Sequence, residues 1–172
     1  MRRRPATREL SVQPLLAAML AEHRDEIIEV GVDWVREHSD DLRGRRPRSE
    51  TLALVQREFE VYRALILHGD PAPRAAFIEH VTSLRAAMTF NISTLVRGFL
   101  CFRHGVMHVV ERHETVTLRQ RLELLELLDD AYLETILLMT DVYTDKLKGA
   151  LRTAQRELLH KEKMAALGGL VA

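Results

Sequence analysis

Several things are scarce in this chain, and each scarcity closes off a class of function. Cysteine occurs once, at Cys101, which excludes an intrachain disulfide and any zinc site built from several thiolates. Neither sign of charge prevails: 25 basic side chains face 25 acidic ones, so no overall field draws the chain to nucleic acid. Local basic clusters exist at Arg2-Arg3-Arg4 and from Arg43 to Arg48. Aromatic residues make up only 5% of the chain, and neither cluster has the aromatic platforms on which bases stack. No apolar run approaches the ~18 residues of a membrane span. The N-terminal arginines are not followed by the apolar stretch of a signal peptide. The chain is therefore expected in the cytoplasm, with no nucleic-acid partner and no membrane span. No glycine-rich phosphate loop leads into a lysine and no serine elbow is present, so no enzyme constellation emerges.

What is present is helical. Hydrophobic residues at 47% and charged residues at 29% give a globular composition. The 172 residues suffice for one domain with a core, plus an extension. Five prolines and eight glycines interrupt the chain, most of them at boundaries, and no convincing alternating strand appears. A first helical region covers residues 11 to 42 with a break near His23 to Asp25. Gly44 suits a C-cap and Ser49 the next N-cap. A second helix covers residues 50 to 67 and stops at His68-Gly69-Asp70-Pro71, where Gly69 suits a left-handed cap and Asp70 an N-cap ahead of Pro71. The third helix runs to Phe90 with the stripe Phe77, Val81, Leu84 and Met88. Asn91 and Ser93 are candidate caps for the fourth, which ends near Arg112. The fifth opens on a capping box, Thr117-Leu118-Arg119-Gln120, and meets no proline afterwards.

That last helix would hold some fifty residues and measure ~75 Å at ~1.5 Å per residue. Its first part, from Leu122 to Val142, is apolar on several faces and should be buried. Its last part carries all four lysines of the chain, Lys146, Lys148, Lys161 and Lys163. There the apolar positions thin to Leu147, Leu151, Ala154 and Leu158, a narrow coiled-coil seam. The division expected is a flexible basic tail over residues 1–10, a helical domain over 11–145, and a coiled coil over 146–172.

Few residues invite chemistry. On the fourth helix, Val96, Phe99, Val106 and Val110 share a face at 100° per residue, with Arg103 in its middle. A buried guanidinium must be paired or must reach a wet edge. Asp129, Asp130 and Glu134 are possible partners, and Arg103 is a candidate for a ligand or switch site. Cys101, His104 and His108 fall on the opposite, polar face at spacings that could hold a metal, although Arg97 beside them disfavours a cation. Carboxylates such as Glu123, Glu126, Asp129 and Asp130 read as a solvated helix surface.

Two resemblances add to this reading. The run Lys161-Glu162-Lys163-Met164-Ala165-Ala166-Leu167-Gly168-Gly169-Leu170-Val171-Ala172 resembles the segment that enters the dimerisation and phosphoacceptor helix of bacterial sensor histidine kinases. The phosphorylated histidine of that family would come within a few residues after it. His160 is not at that place, and the segment in hand should have no kinase activity by itself. The stretch Phe90-Asn91-Ile92-Ser93-Thr94-Leu95-Val96-Arg97-Gly98-Phe99-Leu100-Cys101-Phe102-Arg103 is similar to the middle of the haem-free globin-like domains of RsbR-type stressosome proteins, with Trp34 and Tyr143 in fitting places. Together they imply an all-α, globin-like bundle of about five to six helices, with a long C-terminal helix continuing as a coiled coil. They imply a homodimeric sensory input domain, without cofactor, that acts through a histidine-kinase transmitter in the same full-length chain and indirectly on a response regulator. One alternative is a haem-based gas or redox sensor. In haem-binding globin-coupled sensors a histidine on the corresponding third helix ligates iron, which here would be His80. The other is a scaffold module that binds proteins and senses nothing directly.

Overall fold

A computed structural model of the chain describes residues 12–44, 46–86 and 92–169, with the side chains of 84–86 and 166–169 left aside. The expected basic tail over residues 1–10, the end of the third helix at Met88 and Phe90, the Asn91 cap, the Leu84 side chain and the final Leu170-Val171-Ala172 all lie outside the described residues. The described residues are all-α, with six helices in the order α1 (Gln13–Glu22), α2 (Arg24–Glu37), α3 (Arg48–His68), α4 (Ala72–Ala86), α5 (Ile92–Arg112) and α6 (Leu118–Gly169).

Local sequence sets most of these boundaries. His23 ends α1 and opens α2. Gly69 closes α3 in the left-handed conformation at φ 65°, where a side chain would be strained. The Asp70 amide then reaches back to the Ala64 carbonyl at 3.3 Å, closing the turn as a Schellman motif does. Asp70 Oδ1 accepts from the Ala72 amide at 3.0 Å and starts α4. The capping box of α6 is formed in both directions: Gln120 Oε1 accepts from the Thr117 amide at 3.0 Å, and Thr117 Oγ1 accepts from the Gln120 amide at 3.3 Å. Two expected boundaries are corrected. The helix that includes Trp34 stops at Glu37 and gives way to turns through Gly44. The N-cap of α3 is Pro47, not Ser49, which sits inside the first turn.

The bundle has two apolar centres. The larger joins α1, α2, α3, α5 and the start of α6 through residues such as Leu16, Ile28, Val32, Phe59, Phe102, Val106 and Leu124. Tyr62 stacks on Phe102 at 4.8 Å, and Phe59 meets the same ring edge-on at 5.7 Å. The smaller joins α3, α4, α5 and α6 through Val61, Phe77, Ile78, Val81, Phe99, Met139 and Tyr143. The fourth helix of the sequence, now α5, lies between both centres and is buried on more than one side.

Close approach of α2 and α5 makes this arrangement possible. Gly31 of α2 lies so near α5 that a β-carbon there would stand 3.2 Å from the Cys101 carbonyl oxygen. At Gly105 the contact is tighter, and a β-carbon would fall inside the van der Waals envelope of the Ile27 carbonyl oxygen. Backbone cannot yield as a flexible side chain can, so the helices must separate to admit even a methyl group. Gly105→Ala should therefore destabilise the domain by about 1–3 kcal/mol or more, although alanine is the better helix former. Urea unfolding would measure it, and an unchanged or raised midpoint would show that the crossing is looser than described.

Candidate functional site

Glu58 is the residue that sequence patterning does not bring forward. It lies on α3 in the run Arg57-Glu58-Phe59-Glu60, which looks like an ordinary helix surface, yet it is 4% exposed. The turn of α3 that buries Val55, Phe59 and Tyr62 carries Glu58 inward with them. One carboxylate oxygen, Oε2, accepts a hydrogen bond from the Cys101 thiol at 3.3 Å. The other, Oε1, has no hydrogen-bond partner among the described residues. Tyr62, one turn on, donates its hydroxyl to the Phe99 carbonyl at 3.2 Å.

Burial governs the charge of this cluster. Loss of solvent pushes the Glu58 carboxyl up to about 8, against the smaller opposing pull of the Cys101 thiol and the Phe102 amide. Burial likewise raises Cys101 well above the usual thiol range, and the neighbouring carboxyl raises it further. Tyr62 is raised well above its ordinary value for the same reasons, burial first and Glu58 second. At neutral pH the cluster is a carboxylic acid, a thiol and a phenol, all largely uncharged. Such a thiol is a poor nucleophile and a poor metal ligand.

A small cavity opens beside Glu58. Its volume is about 60 Å³, and α2, α3, α4 and α5 contribute its walls through Val35, Val55, Phe77 and Phe99. Two threonine hydroxyls line it as well. Both are engaged: Thr51 Oγ1 accepts from Arg36 at 3.2 Å and Thr94 Oγ1 donates to Asp41 at 2.9 Å.

The residues singled out from sequence take other places. Cys101 is not on a polar face; it is fully buried at the α2–α5 crossing. α5 packs on both sides, so the face opposite one apolar stripe is a second buried face. Cys101, His104 and His108 consequently do not converge. His104 stacks on Trp34 at 5.0 Å, with His38 on the ring system at 4.8 Å. Burial lowers His104 below its ordinary value, helped by His108 and His38. His108 turns towards Arg112 and Glu26. No group of three or more potential ligands that could hold a metal occurs among the described residues. Arg103 does not sit in the middle of an apolar wall. Its side chain is 29% exposed, at the edge of α5, where it pairs with Asp129 of α6.

His80 is exposed on α4 and does not line the cavity, which Phe77 and Val81 of the same helix do line. The cavity is also far below the ~300–1,000 Å³ of ordinary small-molecule pockets, let alone a haem pocket. Leu147, Leu151, Ala154 and Leu158 are all exposed on α6. Among the described residues, the last ion pair of α6 with the rest of the domain is that of Lys146 with Glu79 of α4. No helix among the described residues is long and apolar enough to cross a membrane. No family model, curated protein or solved structure matches this chain.

The buried acid makes stability depend on pH. The folded chain keeps a proton on Glu58 that the unfolded chain gives up above the ordinary value of 4.5. The stability carried by neutral Glu58 is full below pH 4.5 and is lost as pH rises towards about 8, with a slope of about 1.4 kcal/mol per pH unit. Glu58→Gln, uncharged at every pH, should remove that slope and leave the protein more stable than wild type at pH 8. Urea unfolding across this range decides the matter. Parallel curves for the two proteins would mean that Glu58 is solvated.

Proposed function

We propose that this chain is the sensory input and dimerisation domain of a two-component sensor histidine kinase, acting in the cytoplasm. One observation carries the proposal. α6 begins in the core, where Leu124, Leu128 and Met139 are buried, and runs on without a break into a segment exposed all round from Leu147 to Ala165. Its unpartnered side is apolar along both parts. Leu133 is 56% exposed, Leu137 59%, Leu147 47%, Leu151 60% and Leu158 59%. With Thr140, Thr144 and Ala154 between them, these positions follow one another at alternating steps of four and three. That is the heptad pattern of a coiled coil, and it crosses the edge of the domain without losing register.

A second copy of the chain, laid along this side, would bury a stripe that is costly to leave in water. The likeness of residues 161–172 to the entry of a histidine-kinase phosphoacceptor helix gives the coiled coil its destination. The globin-like reading of the helical domain belongs to the same proposal. Its support is the all-helical bundle and the likeness of residues 90–103. Signal transfer is mechanical: a change of packing around Met139 and Tyr143 alters the rotation or splay of the paired helices, which needs two packings separated by only a few kcal/mol. The transmitter receives the change, and a response regulator is its indirect target.

Sedimentation should show a dimer. Leu151→Asp with Leu158→Asp should weaken it, and so should Leu133→Asp with Leu137→Asp, because each pair sits on the same seam. A wild-type monomer at high concentration, or a dimer indifferent to both pairs, would remove the seam. For the kinase assignment, the full product of the gene is incubated with labelled ATP. Acid-labile phosphate on a histidine is the expected result, and no incorporation would sink the assignment.

A further inference from the structure

The start of α1 fixes where residues 1–11 join the domain. Val12 is fully buried, and the Gln13 side chain donates from Nε2 to the Ile66 carbonyl at 3.3 Å, in the last turns of α3. The chain ahead of Val12 therefore sets out from beside the end of α3. That segment lies outside the described residues, and its composition is one-sided. Arg2, Arg3, Arg4 and Arg8 belong to it, against a single carboxylate, Glu9. The remainder of this neutral chain is correspondingly acidic.

The end of α3 also borders a groove. Leu65 and Ile66 of α3 and Leu127 and Ala131 of α6 give it an apolar lining, and its volume is about 560 Å³. The charges at its rim are not balanced. Arg74 is spent on Glu134, at 3.2 Å. Asp130 is exposed and has neither a hydrogen bond nor an ion pair among the described residues. Glu126, one turn earlier on α6, is exposed and equally without a partner among them. The carboxylates beside these two are occupied, Glu123 by Arg119 and Asp129 by Arg103.

Reach and chemistry agree. Arg8 stands four residues before Val12, about 13–14 Å of extended chain at ~3.3–3.6 Å per residue. Leu10, between them, offers an apolar side chain to a lining that water can wet only at a cost. A guanidinium matches a carboxylate in both charge and geometry. Water hydrates Asp130 and Glu126 but leaves the hydrocarbon of the groove uncovered; a segment with leucine and arginine answers both.

We infer that residues 1–11 of the same chain lie across this groove, with Leu10 on its apolar lining, Arg8 on Asp130, and the run Arg2-Arg3-Arg4 directed towards Glu126. Bound there, the segment ties α3 to α6 just ahead of Leu133, where the heptad stripe described above begins. The inference stands apart from the kinase reading, and its test needs neither a dimer nor ATP.

The test uses the whole chain, isotope-labelled and carrying a nitroxide on Thr7→Cys. Cys101 is fully buried and shielded from the reagent. The amides of Leu127 and Ala131, across the groove from α1, should lose most of their intensity relative to the chain with reduced nitroxide. Arg8→Asp and Asp130→Arg should each return much of that intensity, and the two changes together should bring the loss back. Asp130 is exposed, so its replacement leaves the core intact. In a mixed sample, the observed copies lack the nitroxide and their neighbours carry it; there Leu127 and Ala131 should be far less affected. A loss as large as in the first sample would assign the groove to a second copy's segment. Full intensity in the first sample would leave the groove to solvent, and a loss indifferent to both charge changes would reflect the tether alone. Each of these three results overturns the inference.

Discussion

Where α2 crosses α5, two backbones meet with glycine on both sides, and the rest of the bundle is arranged around that contact. The absence of side chains at Gly31 and Gly105 lets α5 sink between its neighbours instead of lying on their surface. Because it sinks, Cys101 and Phe102 are both buried, although they are adjacent and point about 100° apart. Cys101 then meets Glu58 of α3, and Phe102 meets Phe59 and Tyr62 of the same helix. A buried acid is costly in isolation. Here it is held neutral in a pocket that exists because two helices have come unusually near.

The sequence made much of the helix plan legible and little of the interior. Gly69, Asp70 and the Thr117–Gln120 box act within a few residues of themselves, so their geometry is written locally, and the structure forms all three. Cys101 was misplaced because a helical wheel assumes one wet face, and α5 has only a narrow one. Gly31 and Gly105 sit in mid-helix, where glycine is weakly unfavourable; their purpose lies in partners, Cys101 and Ile27, that are far away along the chain and close in space. Glu58 carries no sign of burial in its neighbours, since Glu60 two residues later is exposed to ion pairing with Arg24 and Arg63. A charged residue at an inward position of α3 was the one available clue, and it shows only once the apolar face of α3 is fixed.

The zero net charge has a local structure. Arg48 reaches Glu29 at 2.5 Å and Asp33 at 2.8 Å, joining α3 to α2. Arg112 reaches Glu26 at 2.8 Å, joining α5 to α2. Arg74 reaches Glu134 at 3.2 Å, joining α4 to α6. Exposed pairs of this kind contribute only ~0.2–1 kcal/mol each, so the apolar centres hold the fold. The pairs fix which helix faces which, and they leave no broad field of either sign.

The length of α6 has a geometric consequence. From Tyr143, the last buried residue of α6 among those described, to Gly169 the helix extends about 40 Å at ~1.5 Å per residue. A tilt of about 5° at the buried end therefore carries the far end sideways by roughly 3.5 Å, more than the ~2.3 Å radius of the helical backbone itself. The domain is thus a fulcrum with a long arm: displacements too small to break its packing become, at the tip, as large as the spacing between neighbouring atoms in contact.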